Sequence, residues 1–145
     1  MLRPKGKLAL IDMEAAGERL REREDEIETW RDSSHVWNLS REEIQSLFHE
    51  HSLKITKCKS TKIPVNLCAW MDLTITPDFM RKKIRKDMQG EIARNLETGF
   101  SPYQKDGEIY FDQRLRFFSA NSDKPGIHKM TQDKINLCVV KRRFL

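Results

Sequence analysis

Arg31-Asp32-Ser33-Ser34-His35 places a guanidinium, a carboxylate and an imidazole within five consecutive positions. Histidine titrates close to physiological pH and can take or return a proton there, and a guanidinium clamps an anion through paired N–H donors. His35 with Asp32 is therefore a candidate acid–base pair, and Arg31 a candidate anion clamp. The same residues admit an architectural reading: a helix terminus whose Arg and His satisfy backbone carbonyls. His49-Glu-His51 with Cys58 and Cys68 raises a metal site. Histidines two apart point to different sides of a helix, however, and the cysteines are ten apart without a Cys-x-x-Cys knuckle, so no metal is expected. Arg81-Lys-Lys-Ile-Arg-Lys86 holds five cations in six residues. It reads as a patch for nucleic acid or an acidic partner, or as a solvated helix face. Few aromatics interleave it, so base stacking is not expected and the solvated face is favoured.

The elements that must position these residues follow from periodicity. Lys7-Leu-Ala-Leu-Ile-Asp12 is a short apolar run closed by an acid, the pattern of a buried strand, expected to pair in parallel. Glu14 to Asp32 is rich in Glu and Arg, with Leu20, Ile27 and Trp30 as large apolar anchors, and predicts an amphipathic surface helix with i,i+4 charge pairs. Ser40-Arg-Glu-Glu43 is a capping box that opens a second helix, with Ile44, Leu47 and Phe48 inward, to about His51. Residues 53–60 alternate apolar and polar as a half-buried strand, and 63–76 form an irregular apolar connection containing Pro64, Trp70 and Met71. Thr76-Pro77-Asp78 starts a third helix, with Thr76 as N-cap. Met80, Ile84, Met88, Ile92 and Leu96 recur every four residues along it, and Gly99 is its expected stop. Asp106-Gly107 is a turn before a strand over 108–118.

With 145 residues the chain has room for about one domain. Its six glycines (Gly6, Gly17, Gly90, Gly99, Gly107 and Gly126) are never closer than eight positions, which excludes any glycine-clustered loop for a phosphate or nucleoside. The net charge of +5 is unevenly spread: residues 13–50 carry five basic against eleven acidic side chains, and residues 51–145 nineteen against ten. A basic face is thus available only to the second part. Three cysteines without close pairing, and no signal or membrane segment, suggest a reducing cytoplasmic setting with no membrane partner.

Taken in order, these pieces resemble a known family. Leu2-Arg-Pro-Lys-Gly-Lys-Leu-Ala-Leu-Ile-Asp12-Met-Glu-Ala resembles the leader, apolar strand and acid that open the fifth strand of class I S-adenosylmethionine-dependent methyltransferases. Lys5 stands where the first of two glycines is common in that family. Trp30-Arg-Asp-Ser-Ser-His35 resembles the Arg-Asp-x-Ser-His element of a bacterial subgroup, and the ordered features extend the resemblance to about residue 118. It implies an α/β fold: the carboxyl-terminal part of a Rossmann-like methyltransferase sheet, with three strands, the last inserted antiparallel between the other two, and about three helices. Residues 1–120 would be that portion of the domain and 121–145 an unassigned basic tail. It further implies methyl transfer from S-adenosylmethionine, with His35 and Asp32 catalytic and Asp12, Arg31 and Trp70 contacting the acceptor. Asp12 equally suits the capping of the helix that follows it. The family's glycine-rich cofactor loop has no counterpart here, so the cofactor-binding residues are unknown and the chain alone is expected to be inactive. The alternative is a non-catalytic basic module using residues 81–86 and 141–143 on nucleic acid or an acidic partner. The methyl acceptor is not named by the sequence, and self-association through the edge of strand 7–12 is a further expectation.

Overall fold

The computed structural model describes residues 6–122. Their elements are β1 (Lys7–Met13), α1 (Glu18–Arg31), α2 (Arg41–Glu50), β2 (Leu53–Asn66), α3 (Leu67–Asp72), α4 (Asp78–Ile92), β3 (Tyr103–Lys105) and β4 (Glu108–Ser122). The sheet order is β1-β4-β2, with the short β3 also pairing to β4. Ser122 N–H donates to Gly6 O at one end of the β1/β4 pair and Glu14 N–H to Arg114 O at the other, so the two strands run in opposite directions. Thr56 Oγ1 donates to Ser119 O and Asn66 Nδ2 to Glu108 Oε2, which sets β2 against β4 in the same sense. The last long strand therefore lies antiparallel between two strands that share a direction. The expected parallel partner of β1 is not found among the described residues; its neighbour is β4.

Sequence and sheet explain each other locally. Asp106 (φ 51°) and Gly107 (φ 80°) both take left-handed backbone, as a two-residue hairpin turn requires, and Tyr103 then faces Tyr110 across β3 and β4. β2 runs on through Pro64, beyond the expected end near residue 60, because it is an edge strand on which a missing N–H costs no ladder bond. The connection read as irregular is in fact the end of β2 plus α3, a fourth helix. Asn66 Oδ1 accepts the Cys68 and Ala69 amides and starts it. α4 begins at Asp78 with Pro77, not Thr76, as N-cap; the Thr76 hydroxyl is turned to the Arg31 and Met71 carbonyls instead. It also ends earlier than expected. Arg94 (φ 60°) takes the left-handed position while Asn95 N–H reaches Gly90 O and Arg94 N–H reaches Glu91 O, so the helix closes before Leu96 and well before Gly99.

By contacts the chain divides into two compact units. One takes Glu42–Lys59 with the described residues before Asp12 and after Arg116; Ile44, Phe48, Leu53, Phe118 and Ala120 are its buried apolar side chains, and the Phe48 and Phe118 rings meet at 5.5 Å. The other takes Asp12–Arg41 and Ser60–Arg116. Its core joins Ile27 of α1, Leu67, Trp70 and Met71 of α3, Ile84 and Met88 of α4, and Phe100, Ile109 and Phe111. Trp70, Phe100 and Phe111 form a triangle of edge-to-face rings 5.1–5.5 Å apart, an arrangement worth about 0.5–1.5 kcal/mol per pair beyond area burial. Residues 123–145, including Cys138 and the basic run 141–143, lie outside the described residues.

Candidate active site

In the unit Asp12–Arg41/Ser60–Arg116, α1 departs from the expected surface helix. Arg21, Glu24, Asp25, Glu28 and Arg31 are all buried, so charges occupy the i, i+3/i+4, i+7 positions where an apolar stripe belongs. Buried charges persist only when paired and hydrogen-bonded. The sequence 31–38 supplies those partners. Asp32 Oδ1 accepts from the Ser34 amide and hydroxyl while His35 N–H donates to Asp32 O, a tight turn that brings the chain back along the helix. His35 Nε2 then lies 2.8 Å from Asp25 Oδ1, with both side chains buried. Asn38 is held on both sides: its N–H donates to Asp25 Oδ1 at 3.1 Å and its carbonyl accepts from Arg21 Nη2 at 2.9 Å.

Arg31 turns the other way. Its Nε and Nη2 sit 3.0 and 2.9 Å from Glu28 Oε2, and its guanidinium lies 4.5 Å above the Trp70 ring. Thr74 and Thr76 hydroxyls both reach its carbonyl oxygen. Arg31 and Trp70 are thus brought together, within the packed interior and not on an open cleft. His35 is joined to Asp25 and not to Asp32, whose carboxylate shapes the turn. With Asp25 ionised, His35 Nε2–H donates to it and Nδ1 is the nitrogen left to accept a proton. Three buried polar atoms of this cluster, Asp25 Oδ2, Glu28 Oε1 and Trp70 Nε1, have no hydrogen-bond partner among the described residues.

Asp12 closes β1 half-exposed, with its Oδ1 accepting the Met13 amide. The strand-to-helix connection behind it does not suit a nucleoside. Its successive amides are spent within the protein: Glu14 on Arg114 O, Ala15 on Leu39 O, and Ala16 on Glu24 Oε2. A Cβ placed on Gly17 would meet nothing within 4 Å, so no close backbone approach is built there. At this connection the residues present do not fit S-adenosylmethionine. Glu24 completes this corner. Burial pushes its carboxyl up to about 7, against the pull of Arg114 Nη2, 2.5 Å from its Oε1, and of the Ala16 amide. Arg114 also donates to Gly99 O, which holds the glycine whose φ of 91° stations the chain above α1.

Asp25, Glu24 and Glu28 were not legible as site residues, although one signal existed: acids at the spacing of a core stripe. The cationic run is largely engaged. Arg81 pairs with Asp72 and donates to Thr76 O, Lys83 Nζ lies 3.6 Å over the Trp30 ring, and Arg85 reaches Cys68 Sγ. Cys58 and Cys68 are unbridged, and among the described residues no three His, Cys, Asp or Glu side chains gather as metal ligands. A shallow depression on α2, lined by Glu42, Gln45, Ser46, His49 and Glu50, includes none of the candidate residues.

No family model matches this sequence, and no curated protein does. Solved structures share its fold, two of them as follows. A provisionally assigned methyltransferase (BH2331) from Bacillus halodurans superposes with a TM-score of 0.71 at 15% identity, covering 83% of this chain and 57% of that one. The YcgJ protein from Bacillus subtilis gives 0.70 at 20% identity, covering 83% and 53%. The chain spans little more than half the length of each. At that identity the likeness concerns the fold alone: the described residues share the α/β fold of a portion of each of those chains.

Proposed function

We propose that the chain is the carboxyl-terminal part of a class I, S-adenosylmethionine-dependent methyltransferase and supplies the acceptor side of the reaction. The observation that carries this reading is the strand order, β4 antiparallel between two co-directional strands, in a chain whose fold covers little more than half of each similar structure. In open α/β sheets ligands bind beyond the carboxyl ends of the co-directional strands, which here are Met13 and Asn66, both in the unit that holds the polar cluster.

The donor, when bound by the whole protein, supplies a sulfonium methyl group for in-line displacement. This chain's residues do the rest. Asp12, at the end of β1, contacts the acceptor. His35 takes the acceptor's proton on Nδ1, with Asp25 as the positioning residue that fixes its tautomer. Asp32 shapes the turn that delivers His35, and Arg31 with Glu28 and Trp70 locks the helix end behind it. The setting is cytoplasmic, in keeping with unbridged Cys58 and Cys68. No helix among the described residues is long and apolar enough to cross a membrane.

Isothermal titration of the 145-residue chain with S-adenosylmethionine tests the division of labour. No saturable heat is expected, since both strand-to-helix turns described on the co-directional strands spend their amides within the protein: Glu14, Ala15 and Ala16 after β1, and Cys68 and Ala69 on Asn66 Oδ1 after β2. Micromolar, one-to-one binding would overturn it.

A further inference from the structure

The loop between α3 and α4 and the first turn of α4 expose three large apolar side chains in seven residues: Leu73 is 75% accessible, Ile75 89% and Phe79 67%. Among the described residues none covers them. Ile75 is the most telling, because it closes α3 at φ 52°, with Ile75 N–H on Asp72 O and Thr76 N–H on Met71 O. That closing position is the one where glycine is the default, and a β-branched residue there is strained. The chain thus holds a costly backbone conformation that points an isoleucine at solvent.

The adjoining face of α4 is cationic. Lys82, Lys83 and Lys86 follow Phe79 at i+3, i+4 and i+7, which puts all four on one side of the helix, while Ile84 and Met88 face the core. Lys82 and Lys86 are exposed and make no ion pair among the described residues. Between Asp72 and Lys86 there are five basic and two acidic side chains, and Asp72 is already taken by Arg81.

We infer that this loop and the first turns of α4 form a docking surface for an anionic lipid bilayer, with Leu73, Ile75 and Phe79 entering the headgroup–acyl boundary and the lysines meeting the lipid phosphates. An apolar tip flanked by lysines on one helix face is the chemistry that such an interface accepts. A nucleic acid would use the lysines and leave the aliphatic tip without a partner, so the bilayer is the better match to the whole patch. The absence of a spanning helix does not bear on peripheral binding, and this inference does not rest on the methyltransferase reading.

Flotation of the 145-residue chain with vesicles of phosphatidylcholine, alone or mixed with phosphatidylglycerol, tests it. Flotation is expected with the mixed vesicles only and is weakened by added salt. It should be lost in Ile75→Gly/Phe79→Ser and fall about twenty-five-fold in affinity in Lys82→Gln/Lys86→Gln, at roughly fivefold per lysine near an anionic surface. Ile75→Gly by itself relieves the backbone strain, should melt no lower than the parent and should float more weakly, so that weakening cannot come from unfolding. No flotation, equal flotation on both vesicles, or flotation unchanged by these substitutions would overturn the inference. So would binding to duplex DNA that survives Ile75→Gly/Phe79→Ser with no vesicle binding.

Discussion

Glu24 sits between Arg114 and the Ala16 amide, buried, with its carboxyl raised to about 7 from an ordinary value of 4.5. Because the folded state holds that proton more tightly than the unfolded chain, the contribution to stability is present below pH 4.5 and is lost as pH rises to 7. Over that window the chain should lose roughly 3 kcal/mol from this group alone. Urea unfolding at half-unit pH steps checks it: Glu24→Gln should flatten the slope. Arg31 and Glu28 give a second case. Removing the guanidinium as Arg31→Met leaves a fully buried carboxylate without its partner, at a cost of about 3–5 kcal/mol, and adding Glu28→Gln should restore most of it. A double-mutant cycle in urea measures the difference. The residues of the Arg31–His35 motif were readable, but their partners were not: His35 meets Asp25, ten positions upstream on α1, through a turn that Asp32 and Ser34 close.

At the scale of elements, periodicity located α1, α2, α4 and the three long strands, and it failed at their ends. Met80, Ile84, Met88 and Ile92 do share a face of α4, but Leu96 continues the spacing only in number. The helix has already closed at Arg94, and Leu96 folds back over Gly90, so closely that a Cβ added to the glycine would lie 2.8 Å from its side chain. Such a closure is a left-handed residue with two crossing hydrogen bonds, and any residue can fill it at some cost. Arg94→Gly should therefore raise stability by about 1 kcal/mol, the penalty of left-handed backbone for a residue with a Cβ, seen as a higher midpoint in thermal melting. β2 shows the converse. Pro64 argues against a strand in general, and only knowledge that β2 lies on an edge removes the objection.

For the molecule as a whole, the long strands form a sheet in which β4 is central and β1 has no second strand neighbour among the described residues. Ile11, 66% accessible on β1, is an apolar side chain of the kind buried in a larger sheet. The isolated chain should accordingly self-associate through β1. In sedimentation velocity, Ile11→Lys should shift the weight-average coefficient toward the monomer while changing unfolding free energy by no more than about 0.5 kcal/mol, as for an exposed site. The charge division seen along the sequence does not become a division in space. The acidic residues 13–50 supply the buried carboxylates of α1, which meet Arg31 from the same helix and Arg114 from β4.

The sequence by itself determined the class of fold, the positions of most elements, the lack of a glycine-clustered loop and the polar motif that carries the family resemblance. These are properties of local spacing, and side-chain periodicity and turn chemistry act over a few residues. The resemblance had already placed the last strand between the other two, as the sheet has it; tertiary structure alone decided that α1 buries its charges and that His35 answers to Asp25. The physical reason is that a charge becomes tolerable in an interior only once a partner remote in sequence arrives, and no local pattern records that arrival.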